Sequence, residues 1–351
     1  MLMRGGTSKG VYLLAEDLPD DVSARNDLLL RIMGSPDPRQ IDGLGGAASL
    51  TSKAAIVWPS SRADVDVDYL FLQVGVDEPY VSDQQNCGNL LAGVGPFAVE
   101  RGLVHACDPV TSVRIRMVNS DTVGVATFPT PYGHVQYSGD TAISGVPGTA
   151  AEVSLRFKDL AGSVTRSLLP TGQVRDVIDS IEVTCVDNGM PVVVAEASSF
   201  DLTGYESPAE LGAMTGLIDK IQAIRLQAGE LMGLGDVRQS SVPKTTLVAP
   251  PRDGGMLCTR SFIPLRPHSS IGVFGALSVV TGIMLDGAVG RHLTDSWGDA
   301  TRVDVEHPTG HLHVDAIFGP GKDGPQIVES GFVRTARKLF DGVAFPRDGA
   351  A

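Results

Sequence analysis

The sequence predicts a mixed α/β (α+β) protein built as two similar halves, and three observations carry that expectation. The chain has 351 residues, and at about 150 residues per domain that length suggests two domains. Strand-like segments outnumber helical ones throughout. The halves also echo each other. Ser52-Lys53-Ala54-Ala55-Ile56-Val57-Trp58-Pro59 resembles Pro243-Lys244-Thr245-Thr246-Leu247-Val248-Ala249-Pro250, and each stretch is followed by a glycine-containing turn opening a small-residue helix, at Cys87-Gly88-Asn89 and at Gly272-Val273-Phe274-Gly275. Two related domains place a site in the cleft between them, where pockets naturally form.

In chain order, strands are expected at residues 11–14, 54–58, 69–76, 113–118, 122–128, 134–137 and 152–157. Further strands are expected at 181–186, 192–196, 245–249, 303–305 and 311–318. Most are short, β-branched and bounded by Gly, Pro, Asn or Asp. Residues 64–68, Asp-Val-Asp-Val-Asp, alternate strictly, as a strand with one wet face would; a calcium loop would need a turn glycine and a closing Glu that are missing. Helices are expected at 26–33, at 90–101 after an Asn-Cys-Gly-Asn turn, at 208–233 as a long amphipathic element, at 271–284 and at 334–340. With 41 Gly, 22 Pro and only 5% aromatic residues, the chain is suited to tight turns and close backbone approaches.

Lys+Arg 28 against Asp+Glu 41 gives a net charge of -13. So acidic a surface disfavours general binding to nucleic acid or anionic lipid. The longest apolar stretches are broken by Gly and Ser and fall short of the roughly 20 residues a membrane span needs. The N-terminus lacks a charged region leading into an apolar core, so no signal peptide is read and a cytoplasmic location is expected. Cys87, Cys107, Cys185 and Cys258 have neither zinc-ligand nor redox-motif spacing, and each must be judged alone.

Among the motifs, Gly5-Gly6-Thr7-Ser8-Lys9-Gly10 has the residue types of a phosphate loop in the wrong order, and Gly43-Leu44-Gly45-Gly46 lacks dinucleotide spacing. Both are tight turns whose backbone N–H groups can face a carboxylate. His311 and His313 would share one face of a strand, but no Cys or regular carboxylate spacing accompanies them, so surface or hydrogen-bonding histidines outweigh a metal site. Cys87 would stand at a helix N-terminus, where the helix dipole and unpaired N–H groups favour a negative sulfur; the alternative is a buried structural cysteine. Lys53, leading into an apolar strand, would be partly buried and suited to act as a base; the alternative is a strand-end lysine reaching solvent.

Taken together, these stretches resemble the 2-methylaconitate isomerase and 4-oxalomesaconate tautomerase family. Residues 2–10, Leu-Met-Arg-Gly-Gly-Thr-Ser-Lys-Gly, are similar to its N-terminal signature. Asp42-Gly43-Leu44-Gly45-Gly46 through Ser52-Lys53 and then Asn86-Cys87-Gly88-Asn89 are similar to its central motifs. Cys185-Val186-Asp187-Asn188-Gly189-Met190-Pro191, His307-Pro308-Thr309-Gly310 and the stretch 334–339 are similar to its later ones. The resemblance implies a diaminopimelate-epimerase-like fold: two pseudo-symmetric domains, each with strands wrapped around a central helix, and the active site in the cleft between them. The expected domains are 1–178 and 179–331, with 332–351 packing back onto the first. Two departures stand out. Where two-cysteine racemases of this fold carry a second thiol, this chain reads Ile271-Gly272-Val273-Phe274-Gly275, which disfavours two-thiol racemisation and favours allylic or keto–enol isomerisation. The signature also begins nearer Met1 than in relatives, which suggests an internal start or a short first strand.

The resemblance further implies cofactor-independent proton transfer, with Lys53 and Cys87 catalytic and no metal. The implied substrate-binding residues are Arg4, Thr7, Ser8, Lys9, Ser52, Asn86, Gly88 and Asn89 from the first domain. From the second they are Asn188, Lys244, Arg266, His268, Ser269, Gly272, His307, Thr309 and Gly310. The helix stretch after Cys87 is most similar to the 4-oxalomesaconate branch, in the breakdown of gallate and lignin-derived aromatics. The alternatives are a 2-methylaconitate or methylitaconate isomerase, or a non-catalytic carboxylate-binding module. The expected partner is a small carboxylate, with no nucleic acid and no membrane, and a homodimer is the candidate assembly.

Overall fold

The computed structural model describes residues 1–84, 86–294, 302–321 and 324–348. The chain divides into two compact units, residues 1–156 with 333–351, and residues 157–332. No helix among the described residues is long and apolar enough to cross a membrane.

The first unit opens with β1 (Leu2–Gly5), β2 (Ser8–Leu14), α1 (Val22–Met33), β3 (Lys53–Pro59), β4 (Val67–Val74) and β5 (Val81–Ser82). It continues through α2 (Gly88–Glu100), β6 (Val110–Met117), β7 (Thr122–Pro129) and β8 (Glu152–Phe157). β1 pairs antiparallel with β2, β2 parallel with β3, β3 antiparallel with β4, β4 antiparallel with β5 and parallel with β6, and β6 antiparallel with β7. The strands wrap α2, which touches β1, β2, β3, β4, β6 and β7. Such close wrapping needs small residues on the helix: a Cβ on Gly93 would lie 2.5 Å from the Tyr12 hydroxyl oxygen. Tyr12, fully buried, donates to the Leu90 carbonyl at 2.6 Å. The other face of the sheet is covered by α1, whose Leu29, Ile32 and Met33 pack with Val11, Ala54, Ile56 and Leu72.

The second unit contains β9 (Asp176–Ile178), β10 (Ile181–Asp187), β11 (Pro191–Glu196), α3 (Pro208–Ala213), α4 (Thr215–Leu231) and β12 (Lys244–Ala249). Then come β13 (Leu257–Ile263), β14 (Arg266–Pro267), α5 (Val273–Met284), β15 (Arg302–His307), β16 (Gly310–Gly321) and β17 (Gly324–Phe340), within which the unit boundary falls. Its pairings repeat those of the first unit step for step: β10–β11 antiparallel, β11–β12 parallel, β12–β13 and β13–β14 antiparallel, β13–β15 parallel, β15–β16 antiparallel. The pseudo-symmetry read from the Lys53 and Lys244 stretches therefore holds. Each lysine is the first residue of the equivalent strand, and Cys87 and Gly272 are the N-cap residues of α2 and α5. Here α5 is the helix against the inner strands, while Ile221, Ile224 and Ala228 of α4 pack on the sheet from outside.

Four expectations need correction. Residues 334–340 are strand, not helix: their helix-forming side chains yield to pairing of β17 with β1, Arg4 opposite Arg337 and Gly5 opposite Ala336. The 208–233 segment is two helices, broken at Met214, whose ψ of 80° is not helical. Residues 134–137 form no strand and make isolated contacts, Gln136 N to Pro129 O and Ala151 N to Tyr137 O. The Asp64-Val65-Asp66 alternation belongs to a turn closed by Val65 N to Arg62 O, where Asp66 is drawn to Arg114 at 2.6 Å; the strand begins at Val67.

Candidate active site

Lys53 is the first residue of β3 and is only 7% exposed. Its Nζ lies 3.1 Å from Ser8 Oγ and 3.5 Å from Cys87 Sγ. The Phe71 ring lies beneath it, 5.6 Å from Nζ to centroid. Gly10 allows this arrangement, because a Cβ there would meet the Lys53 carbonyl oxygen at 2.5 Å. Cys87 starts α2 with extended backbone and makes no side-chain cap, so the sulfur points at the amine rather than at its own helix.

Cys87 stands apart from the other thiols. Burial pushes Cys185 up to about 12 and also raises Cys258, where Arg260 opposes it, while Cys107 is exposed. Cys87 is buried but has an amine at hydrogen-bond distance. A base and an acid in contact, both shielded from bulk water, can exchange one proton without help from solvent.

The Gly6-Thr7 turn is tied to the start of α2. Asn89 Nδ2 donates to Thr7 Oγ1 at 3.1 Å, and its Oδ1 accepts from Thr7 N at 3.4 Å and from Arg334 Nε at 3.1 Å. Arg334 is buried, and that burial lowers its pKa to about 10. Asn86 donates to Ser120 Oγ at 2.7 Å, while its Oδ1 is buried without a partner among the described residues. Ser52 is fully buried and receives a hydrogen bond from Gln40 at 2.7 Å. Gln40 escaped the sequence reading. It sits in an aperiodic loop, yet it also donates to Ser35 Oγ at 3.0 Å and accepts from Ala47 N at 2.9 Å, fixing the segment that delivers Lys53.

The expected residues of the second unit fall into two sets. One gathers at the start of α5. A Cβ on Gly272 would lie 4.0 Å from Lys244 Nζ. Ser270 N donates to His268 Nδ1 at 2.8 Å, Ser270 Oγ meets His307 Nε2 at 3.2 Å, and Thr309 Oγ1 donates to Ser269 O at 2.9 Å. Thr309 N donates to His307 Nδ1 at 3.3 Å, which puts the ring hydrogen on Nε2, facing Ser270. Gly310, at φ 137°, closes that turn opposite His307. The other set lies elsewhere. Asn188 is wholly buried, its Nδ2 donating to Thr281 Oγ1 at 2.8 Å and Ser330 Oγ at 2.9 Å and its Oδ1 without a partner among the described residues. Arg266 is exposed on β14.

Among the described residues no group of three or more His, Cys, Asp or Glu side chains is placed to hold a metal ion. His311 is engaged on both nitrogens, Nδ1 with Asp304 at 2.6 Å and Nε2 with Asp253 at 3.0 Å.

The PrpF protein family profile matches residues 1–346. The (4E)-oxalomesaconate Delta-isomerase of Novosphingobium sp. (strain KA1) is 54% identical over 350 residues, covering 98% of this chain and 96% of that one. The 4-oxalomesaconate tautomerase of Pseudomonas putida is 55% identical over 344 residues, covering 98% and 94%. A crystal structure of methylitaconate-delta-isomerase superposes with a TM-score of 0.84 at 34% identity, covering 97% of this chain and 93% of that one. A probable proline racemase and a hydroxyproline epimerase, at 14% and 13% identity, share the fold alone. The epimerase-like architecture is therefore as expected.

Proposed function

This chain belongs to the PrpF family, and from that premise we propose that it is a cofactor-independent isomerase that moves a proton along 4-oxalomesaconate or a closely similar unsaturated tricarboxylate. The observation that carries the reading is the Lys53–Cys87 contact of 3.5 Å at the start of α2. The Lys53 amine takes the allylic proton, and the C–H electron pair spreads into a dienolate. Backbone N–H groups of Gly88 and Asn89, at the positive end of α2, offset that charge. The Cys87 thiol delivers a proton to the far carbon of the allyl system, and the Lys53 ammonium returns its proton to the thiolate, restoring both groups. Ser8 accepts a hydrogen bond from the amine and holds it in line. Lys244, Ser269 and the amides at Gly272 form a carboxylate-binding set of their own, and Thr7 adds a donor in the first unit.

Incubating protein and 4-oxalomesaconate in deuterated water tests the reading. Isomerisation followed in the ultraviolet, with solvent deuterium appearing at an allylic carbon, is expected. Binding without turnover or exchange would leave a carboxylate-binding module. Faster turnover of 2-methylaconitate in the same assay would move the substrate to the methylitaconate side, the reading favoured by the solved relative.

A further inference from the structure

We propose that the first unit carries a second anion site, on the sheet face turned away from α2, which takes a small organic carboxylate with an apolar body. Three basic residues stand side by side across three strands there: Lys9 pairs with Arg4, and Arg4 with Arg337. Like charges directly opposite one another destabilise a sheet, so this row is a cost that folding alone does not explain in a chain of net charge -13. Arg4 and Arg337 form no ion pair among the described residues. The Arg4 guanidinium is instead held in place through Nη1, which donates to Gly6 O at 2.9 Å and to Thr335 O and Oγ1 at 3.0 Å each. Burial first and the Arg337 charge second lower the Arg4 pKa.

Both arginines line a cavity of about 480 Å³, whose other walls include Tyr137, Ile143, Val146 and Leu339. It is separate from the Lys53 centre. Side chains alternate along a strand, and a Cβ on Gly5 would point at Asn89 and Leu90 of α2, so its neighbour Arg4 points the other way. Ser8, Lys53 and Cys87 do not line it. No carboxylate lines it; Glu100, which accepts from the lining Tyr137 at 3.2 Å, is paired with Lys338 at 2.6 Å. Guanidinium groups match a carboxylate with paired hydrogen bonds, and the apolar walls match a hydrocarbon or ring that bare phosphate lacks. The volume lies within the range of small-molecule sites.

Isothermal titration with 2-naphthoate tests this, using the whole protein. One binding event is expected, weakened by on the order of 10-fold or more in Arg337→Gln, the loss of one charge-assisted pair. Val146→Glu, which puts a carboxylate among the arginines, should abolish it, and Lys53→Met should leave it unchanged. No binding, equal affinity in Arg337→Gln, or loss in Lys53→Met would overturn the proposal. So would equal affinity for uncharged 2-naphthylmethanol, which would make the cavity an apolar pocket only.

Discussion

Lys53 Nζ has a hydroxyl at 3.1 Å, a thiol at 3.5 Å and an aromatic face, and forms no ion pair among the described residues. With no carboxylate to pin it, the amine is left facing a hydroxyl and a thiol, partners suited to passing a proton. Lys53→Met keeps the buried stem and deletes the titrating group, so the fold should survive while kcat falls by on the order of 100-fold or more. A folded variant with a near-normal rate would remove Lys53 from the chemistry. Cys87→Ser should cost less, about 10-fold, because a hydroxyl or an admitted water can still deliver a proton. A loss in Cys87→Ser as deep as that in Lys53→Met would make the thiol, not the amine, the primary acid–base group.

Between elements, the site depends on how closely strands approach one another. Gly10→Ala would drive a methyl group into the Lys53 carbonyl, now 2.5 Å from the Cβ position, and force β2 from β3. Destabilisation of about 1–3 kcal/mol is expected in urea unfolding, with kcat falling as Ser8 and Lys53 separate. A stable, fully active Gly10→Ala protein would show that this approach is not what positions the amine. The β15–β16 pair gives a pH-dependent counterpart. Asp253 first and Asp304 second raise the His311 pKa above its ordinary 6.5, against burial. A group with a raised folded pKa stabilises fully below the ordinary value and loses that stabilisation as pH rises through the folded value. His311→Gln should therefore lower the unfolding free energy near pH 5.5 by under about 1 kcal/mol, because Asp253 is exposed, and lower it less near pH 9. An equal loss at both pH values would mean the ring serves only as packing. Strands such as β3 and β12, apolar and Pro-terminated, were legible in the sequence because composition and period agreed there. β17 was not, since a run of Arg, Lys, Leu and Ala favours helix until β1 offers its open edge. The places of Cys87 and Lys53 were legible, the first from the Asn-Cys-Gly-Asn turn before a helix and the second from the apolar strand it leads into. Gln40 was not, because its role arises only when a loop folds so that its amide meets Ser35, Ser52 and Ala47 at once.

For the whole molecule, the governing quantity is the mismatch between a net charge of -13 and the tricarboxylate substrate proposed above. At about 10 mM salt the Debye length is ~30 Å and the incoming anion feels the acidic surface; at about 150 mM it is ~8 Å, and only the nearest charges count. A positive charge lies near the start of α2, where the buried Arg334 donates to Asn89. Screening should therefore act in two stages. Adding salt up to about 150 mM removes the long-range repulsion and lowers KM. Further salt, to about 1 M and a Debye length of ~3 Å, weakens the local cationic contacts and raises KM again, while kcat changes little because the proton moves between groups already in contact. Steady-state kinetics across that range decide it. A minimum in KM supports a site that concentrates positive charge within an acidic molecule. A KM that climbs steadily from the lowest salt would mean the local field dominates at every distance, and a kcat that follows the salt would mean the charged groups take part in the chemical step itself.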